Sequence, residues 1–238
     1  MHKVEQAIIM AAGIGKRMQP VTFKTPKPLI KVNGKAMIDS VVDALHENGI
    51  TKITVVVGYL KEQFYEWAKG KNGISIIENP YYDTCNNISS LYAARDCLKN
   101  VIILDGDQII YNSEILAPEF EKSGYNGIWT EDKTEEWLMT VENNRVVSCS
   151  RTGGHRGWQL FSVSRWSEED GAKLKKFLEE EFIEKKNTQI YWDDVAMFCH
   201  FDDFDLGVKP MKKEDIIEID NFDELTAIDK SYLDYKRD

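Results

Sequence analysis

Apolar residues in the first hundred positions alternate between short continuous runs and segments with helical spacing. Ala7-Ile8-Ile9-Met10 is a four-residue run followed by small residues, which reads as a buried strand. Met37, Val41, Val42 and Leu45 recur at helical spacing as far as Asn48, and Gly49 supplies a stop. Ile53 to Val57 is a β-branched run expected to be a second strand, Leu60 to Ala68 a helix, and Ile74 to Ile77 a third strand. Ile88, Leu91, Tyr92, Arg95 and Leu98 share one side of a helix, and Val101 to Leu104 form a fourth strand ending at Asp105. This strand–helix rhythm with short connections predicts an α/β fold, a mostly parallel sheet flanked by helices. Ligands of such sheets sit beyond the carboxyl ends of the strands, so the loops after Met10, Val57, Ile77 and Leu104 are where chemistry is expected.

From about Gly124 the pattern changes. Gly127 to Thr130, Trp137 to Val141, Arg145 to Ser150 and Trp158 to Val163 read as short aromatic-bearing strands, expected to be antiparallel. Ser167, with Asp170 three residues on, opens a charged helix to about Lys185. Ile216 to Ile219 reads as a strand before Asp220, and Phe222 to Tyr235 as a closing helix. No linker or internal repeat divides the chain, so one domain over 1–238 is expected, with a smaller antiparallel and helical lid region from about 124 onward.

Composition narrows the class. Forty acidic against thirty basic residues give a net charge of −10, which argues against a nucleic-acid or membrane-surface binder because phosphates would repel the chain. No apolar run approaches the roughly 20 residues needed to span a bilayer, and the start has no signal-peptide core. Cys85, Cys97, Cys149 and Cys199 show no metal or disulfide spacing and read as reduced thiols of a cytoplasmic protein. Charge is unevenly spread: no acidic residue lies between Gln6 and Ile38, where Lys16, Arg17, Lys24, Lys27, Lys31 and Lys35 are present. An acid-free basic stretch in an acidic chain points to a local anion pocket.

The residues of that stretch are Ala11-Ala12-Gly13-Ile14-Gly15-Lys16-Arg17, followed by Thr25-Pro26-Lys27-Pro28-Leu29. Glycines after a strand let backbone N–H groups approach phosphate oxygens, and Arg17 and Lys27 add charge. Met18 stands where a dinucleotide fingerprint needs a third glycine, and Arg17 where a Walker A loop needs Ser or Thr. At the end of the fourth strand, Asp105-Gly106-Asp107 offers carboxylates to a hard cation. Asn86-Asn87-Ile88-Ser89-Ser90 opens a helix and is a cap or a polar contact loop. Glu136-Trp137, Trp158 and Tyr191-Trp192-Asp193-Asp194 combine aromatic faces with carboxylates, the surroundings a quaternary ammonium requires. Trp129 and Trp166 are expected in the core. The four histidines are isolated, and no Ser/His/Asp or Cys/His set can be assembled.

The A-A-G-x-G-x-R segment followed by T-P-K-P-L resembles the signature of nucleotidylyltransferases with the sugar-phosphate nucleotidylyltransferase fold, Rossmann-like and nucleotide-diphospho-sugar transferase-like. Asn86-Asn87 with Ser90-Leu91, and Gly58-Tyr59-Leu60-Lys61-Glu62-Gln63-Phe64 before them, resemble the phosphocholine cytidylyltransferase branch, and the likeness runs from Ala7 to about Leu225. The resemblance implies a cytidylyltransferase making CDP-choline and pyrophosphate from CTP and phosphocholine. Residues 1–123 would bind nucleotide through Ala11, Ala12, Gly13, Gly15, Lys16, Gly58, Tyr59, Asn86, Asn87, Ser90 and Asp105, the last orienting its loop. Arg17, Lys27 and Asp107 would be catalytic, and Asp107 and Asp220 would hold Mg²⁺. From 124 onward, Trp137, Tyr191 and Asp193 would receive the acceptor, with Trp158, Trp192 and Asp194 as weaker candidates.

Sugar-using relatives carry a mid-chain lysine for the acceptor phosphate. No matching motif occurs here, and Arg151 or Arg156 are the substitutes the sequence offers. Other acceptors fit the same class: phosphoethanolamine, 2-aminoethylphosphonate or a sugar 1-phosphate. A metal-dependent glycosyltransferase shares the strand-end Asp-x-Asp but has no need of the basic glycine loop. A nucleotide-binding regulator without activity would not need Arg17, Lys27, Asp107 and Asp220 together.

Overall fold

Residues 1–235 are described by a computed structural model. Strand β1 (Gln6–Ala11) lies at the centre because all six of its residues are buried, and it pairs in parallel with β2 (Ile53–Val57) on one side. On its other side lies β4 (Val101–Asp105), also parallel, while β3 (Ile74–Glu78) extends the sheet beyond β2. The chain therefore reverses its direction of winding between β1 and β4. That is the switch point where an open α/β sheet forms its ligand crevice, with the glycine loop and Asp105-Gly106-Asp107 on its two rims.

Period-two alternation divides β1 between two cores. Ile8 and Met10 face a cluster built with α3 (Ile88–Ala93) and α4 (Glu168–Glu179), and Ala7, Ile9 and Ala11 face a cluster built with α1 (Met37–Glu47). Helix α2 (Lys61–Ala68) packs Phe64 into the second cluster. The later half adds antiparallel strands: β9 (Gly157–Trp166) pairs with β4, β6 (Gly124–Thr130) and β7 (Leu138–Glu142), and β7 pairs with β8 (Arg145–Ser150). Ser167 caps α4 by accepting from the Asp170 amide, as its spacing predicts.

Some elements differ from the sequence expectation. The helix beginning at Ile88 ends at Ala93 and continues as a short 3₁₀ turn, α4 ends at Glu179 with a π turn beyond it, and the closing helix α5 covers only Phe222–Ile228. Two short strands are not signalled by periodicity, β5 (Gln108–Ile110) and β10 (Gly207–Pro210), whereas the partner of β5, β11 (Ile216–Glu218), falls where the sequence places a strand one residue longer. The β5–β11 ribbon returns the C-terminal segment to the strand-end crevice. A third apolar cluster, with Met18, Val21, Ile30 and Met37 packed on Ile219, Phe222 and Leu225, fixes the basic loop against that returning segment. Trp166 is fully buried as expected, whereas Trp129 is 45% exposed. All four cysteines are free thiols, and among the described residues no helix is long and apolar enough to cross a membrane.

Candidate active site

The loop after β1 is shaped by Gly15, whose φ of 67° a side chain rarely adopts. A Cβ there would lie 3.0 Å from Thr22 Cγ2, and the Thr22 hydroxyl donates to the Gly15 carbonyl at 2.9 Å. Gly13, Gly15, Lys16, Arg17 and Lys27 line a cavity of about 320 Å³, together with Ala11 on its strand side. Gly58 and Tyr59 stand behind this loop. A Cβ on Gly58 would lie 2.9 Å from the Ala12 carbonyl oxygen. The Tyr59 amide donates to that same carbonyl at 3.1 Å, and the Tyr59 hydroxyl donates to the Thr22 carbonyl at 2.9 Å. Neither residue lines the cavity, and Ala12 is likewise backing.

Asp107 follows β4, and Asp220 follows β11. The Lys27 ammonium reaches both, 2.5 Å from Asp107 Oδ2 and 3.0 Å from Asp220 Oδ1, and Arg17 Nη2 lies 2.9 Å from Asp220 Oδ1. Burial opposes the charged form of Lys27, but the two carboxylates outweigh it and hold the group well above an ordinary lysine. Asp105, also at the crevice, is pushed up to about 7 by burial and then by the Asp107 charge, against the Ser162 hydroxyl facing it. Glu218 lies well above the usual carboxylate range for the same two reasons, burial and neighbouring aspartates.

Carboxylate oxygens of Asp105, Asp107 and Glu218 all fall within 4.8 Å of one another. Asp107 Oδ1 is buried without a hydrogen-bond partner. A set of hard oxygen donors, one of them unpartnered, fits a hard divalent cation. Glu218 is not among the sequence candidates, yet the Glu218-Ile219-Asp220 spacing carried its signal, because alternate residues of an extended chain face the same way.

A second cavity of about 620 Å³ adjoins the first and shares Arg17, Lys27, Asp107 and Asp220 with it. Trp137, Tyr191, Asp193, Asn87 and Glu136 line it, as does Asp105. Trp137 meets Tyr191 edge to face at 5.9 Å and Phe198 at 5.2 Å. Asp193 is raised well above the usual range by burial and then by Asp105, against the Tyr125 hydroxyl facing it, and its buried Oδ1 makes no other hydrogen bond.

Several expected contacts fall elsewhere. Trp158 lies opposite Trp129 in the β6–β9 ladder, packs against it at 5.5 Å and does not line the cavity. Trp192 is buried in the core, stacked on Tyr125 at 6.1 Å. Asp194 accepts from the Tyr191 amide and binds Arg151 Nη2 at 2.5 Å, so it is a cap and an anchor. Arg151 is thereby held on the Phe198 ring at 3.5 Å, and neither it nor Arg156 lines the cavity. Asn86 donates to the Gln189 carbonyl, Asn87 accepts from the Trp192 amide, and Ser90 accepts from Asn79. These contacts tie the start of α3 to the Thr188–Trp192 segment and leave only Asn87 on a cavity wall, that of the larger one. Tyr111, Gln159, Lys213 and Glu218 line the larger cavity without having been sequence candidates.

A family model described as a MobA-like NTP transferase domain matches residues 7–178. The chain is 38% identical over 229 residues to a 2-aminoethylphosphonate cytidylyltransferase of Lancefieldella rimae, covering 95% of this chain and 93% of the relative. It is 31% identical over 225 residues to a choline-phosphate cytidylyltransferase of Streptococcus pneumoniae, covering 94% and 97%. Among solved structures, the CTP:phosphocholine cytidylyltransferase from Streptococcus pneumoniae superposes with a TM-score of 0.86 at 29% identity, covering 96% of this chain and 99% of that one. The inositol-1-phosphate CTP transferase from T. maritima, at 17% identity and a TM-score of 0.75 over 95% and 96% of the two chains, shares the fold. With this sheet and these relatives, the protein is a nucleotidyltransferase. It belongs to the MobA-like NTP transferase family, within the cytidylyltransferase branch.

Proposed function

We propose that the protein transfers CMP from CTP to a phosphorus oxyanion on a small zwitterion that also carries an ammonium group, releasing pyrophosphate. One observation carries this reading: a glycine-walled cavity and an aromatic, acidic cavity meet at Arg17, Lys27, Asp107 and Asp220. A triphosphate along the glycine loop presents its α-phosphorus at that seam, and an acceptor in the larger cavity presents its oxygen to it. The acceptor needs no base, because a phosphate monoester is largely dianionic near neutral pH, its second pKa being about 6. The acceptor oxygen bonds to the α-phosphorus as the bond to the pyrophosphate oxygen breaks, and the pyrophosphate leaves with that electron pair. The protein's contribution is alignment and charge, supplied by Lys27 and Arg17. Mg²⁺, held by Asp107 and Asp220 with Glu218 beside them, would neutralise triphosphate charge when bound.

The acceptor end favours a primary ammonium. Asp193 lines this cavity, its buried Oδ1 faced only by the Tyr125 hydroxyl, and an unsatisfied buried group of this kind costs about 1–3 kcal/mol. An N–H donor satisfies such groups and a methyl group cannot. A primary ammonium as in 2-aminoethylphosphonate, the acceptor named for the Lancefieldella rimae relative, is therefore placed first. Phosphocholine, the acceptor of the sequence resemblance, is the second reading and rests on the aromatic faces of Trp137 and Tyr191. Pyrophosphate release from CTP and Mg²⁺ across 2-aminoethylphosphonate, phosphoethanolamine, phosphocholine and a sugar 1-phosphate tests both. Faster turnover of the primary amines is expected. A preference for the sugar phosphate would overturn the zwitterion reading, and a preference for phosphocholine would reverse the order of the two acceptors.

A further inference from the structure

Seven acidic residues line the larger cavity against three basic ones, Arg17, Lys27 and Lys213. That balance attracts an ammonium but repels the phosphorus dianion of the same acceptor. Arg17 and Lys27 are already engaged by Asp107 and Asp220. Lys213, by contrast, pairs with no carboxylate among the described residues. Its backbone is nonetheless fixed. Asp215, itself buried, accepts from the Lys212 amide at 2.8 Å and from Asn112 Nδ2 at 2.9 Å, and the Asp215 carbonyl accepts from the Tyr111 amide at 2.9 Å. The turn is thereby tied to the end of β5, and Lys213 extends from it, exposed, on the cavity wall.

We infer that Lys213 binds the acceptor's phosphate or phosphonate group and so selects acceptors that carry a dianion, an assignment that rests on the transferase reading above. It fills the place that neither Arg151, anchored to Asp194, nor Arg156 can take. Lys213 meets the acceptor and not the nucleotide, since it lines the larger cavity alone. Its ammonium donates charge-assisted hydrogen bonds to the oxyanion and offsets the carboxylates around it.

The test is calorimetric binding of 2-aminoethylphosphonate and, separately, of CTP with Mg²⁺, on the wild type, Lys213→Gln and Lys213→Arg, with steady-state pyrophosphate release on the same three proteins. Lys213→Gln is expected to weaken 2-aminoethylphosphonate binding about tenfold or more and raise its KM to match, with CTP affinity unchanged and Lys213→Arg recovering most of the loss. Equal 2-aminoethylphosphonate affinity in wild type and Lys213→Gln, or an equal loss for CTP, overturns the assignment, while pyrophosphate release by the wild type leaves the transferase reading standing. Loss of 2-aminoethylphosphonate binding in Lys213→Gln, with no pyrophosphate released by the wild type, supports Lys213 as the oxyanion ligand and overturns the transferase reading instead.

Discussion

Lys27 and Asp107, 80 positions apart in the chain, meet with the ammonium 2.5 Å from the carboxylate oxygen. The lysine comes from the acid-free basic loop and the aspartate from the end of the central parallel strands, and Asp220 joins them from 193 positions beyond Lys27. A side chain only 11% exposed keeps its charge because two carboxylates hold it, so the three residues act as one electrostatic unit.

Replacing Asp107 by Asn should lower turnover by about 100-fold or more at saturating CTP, since one anionic ligand of the proposed cation and one partner of Lys27 go together. Pyrophosphate release at increasing Mg²⁺ checks this, and turnover equal to wild type at every Mg²⁺ concentration would remove Asp107 from the cation site.

Arg17 is exposed over 70% of its side chain, so its pairing with Asp220 should add little to stability. Arg17→Gln is expected to leave the unfolding free energy within about 0.5 kcal/mol of wild type while raising the KM for CTP. Thermal unfolding beside steady-state kinetics separates the two; a large stability loss with CTP kinetics unchanged would make Arg17 structural.

Asp193 is held above the usual carboxylate range, so part of the population is protonated where an ordinary aspartate is fully ionised. An ammonium arriving beside it favours the ionised form. Acceptor binding therefore releases a proton, and affinity rises with pH through the shifted pKa. Calorimetry in buffers of different ionisation enthalpy should show that release for the wild type and a smaller one for Asp193→Asn. Identical proton release in both would take Asp193 out of the ammonium site.

Trp137→Ala should raise the acceptor KM by up to about 30-fold, the range of a cation–π contact of about 0.5–2 kcal/mol, without changing the KM for CTP. Trp158→Phe, by contrast, is expected to leave both values unchanged, because Trp158 packs on Trp129 away from the cavity. Equal effects of the two substitutions on acceptor KM would place both rings alike, in the cavity or in the core.

The parallel core and the basic loop were legible because they are local patterns: a strand, then glycines, then Arg17 and Lys27 within a few turns of chain. Asp107 was legible as a carboxylate at a strand end, and Asp220 only through motif resemblance. The ribbon that brings Asp220 back pairs the strand at Ile216–Glu218, which the sequence shows, with Gln108–Ile110, which it does not. Asp193 and Asp194 show the limit most plainly. They are adjacent and identical, but successive residues of a helical turn diverge by about 100°, and one faces the cavity while the other caps Tyr191 and anchors Arg151. Which of two neighbouring aspartates does which is decided by packing that one sequence does not display. Trp158 failed for a related reason: an aromatic beside a strand serves a ligand or a cross-strand partner equally well until the register is known.

The most direct measurement is phosphorus NMR of CTP, Mg²⁺ and 2-aminoethylphosphonate with the wild-type protein and with Asp107→Asn. The account predicts that the phosphonate signal gives way to that of a CMP-linked product as free pyrophosphate appears in equal amount, and that both changes collapse in the variant. Inorganic phosphate in place of pyrophosphate, or CTP cleaved while the phosphonate signal stays as it was, would contradict it.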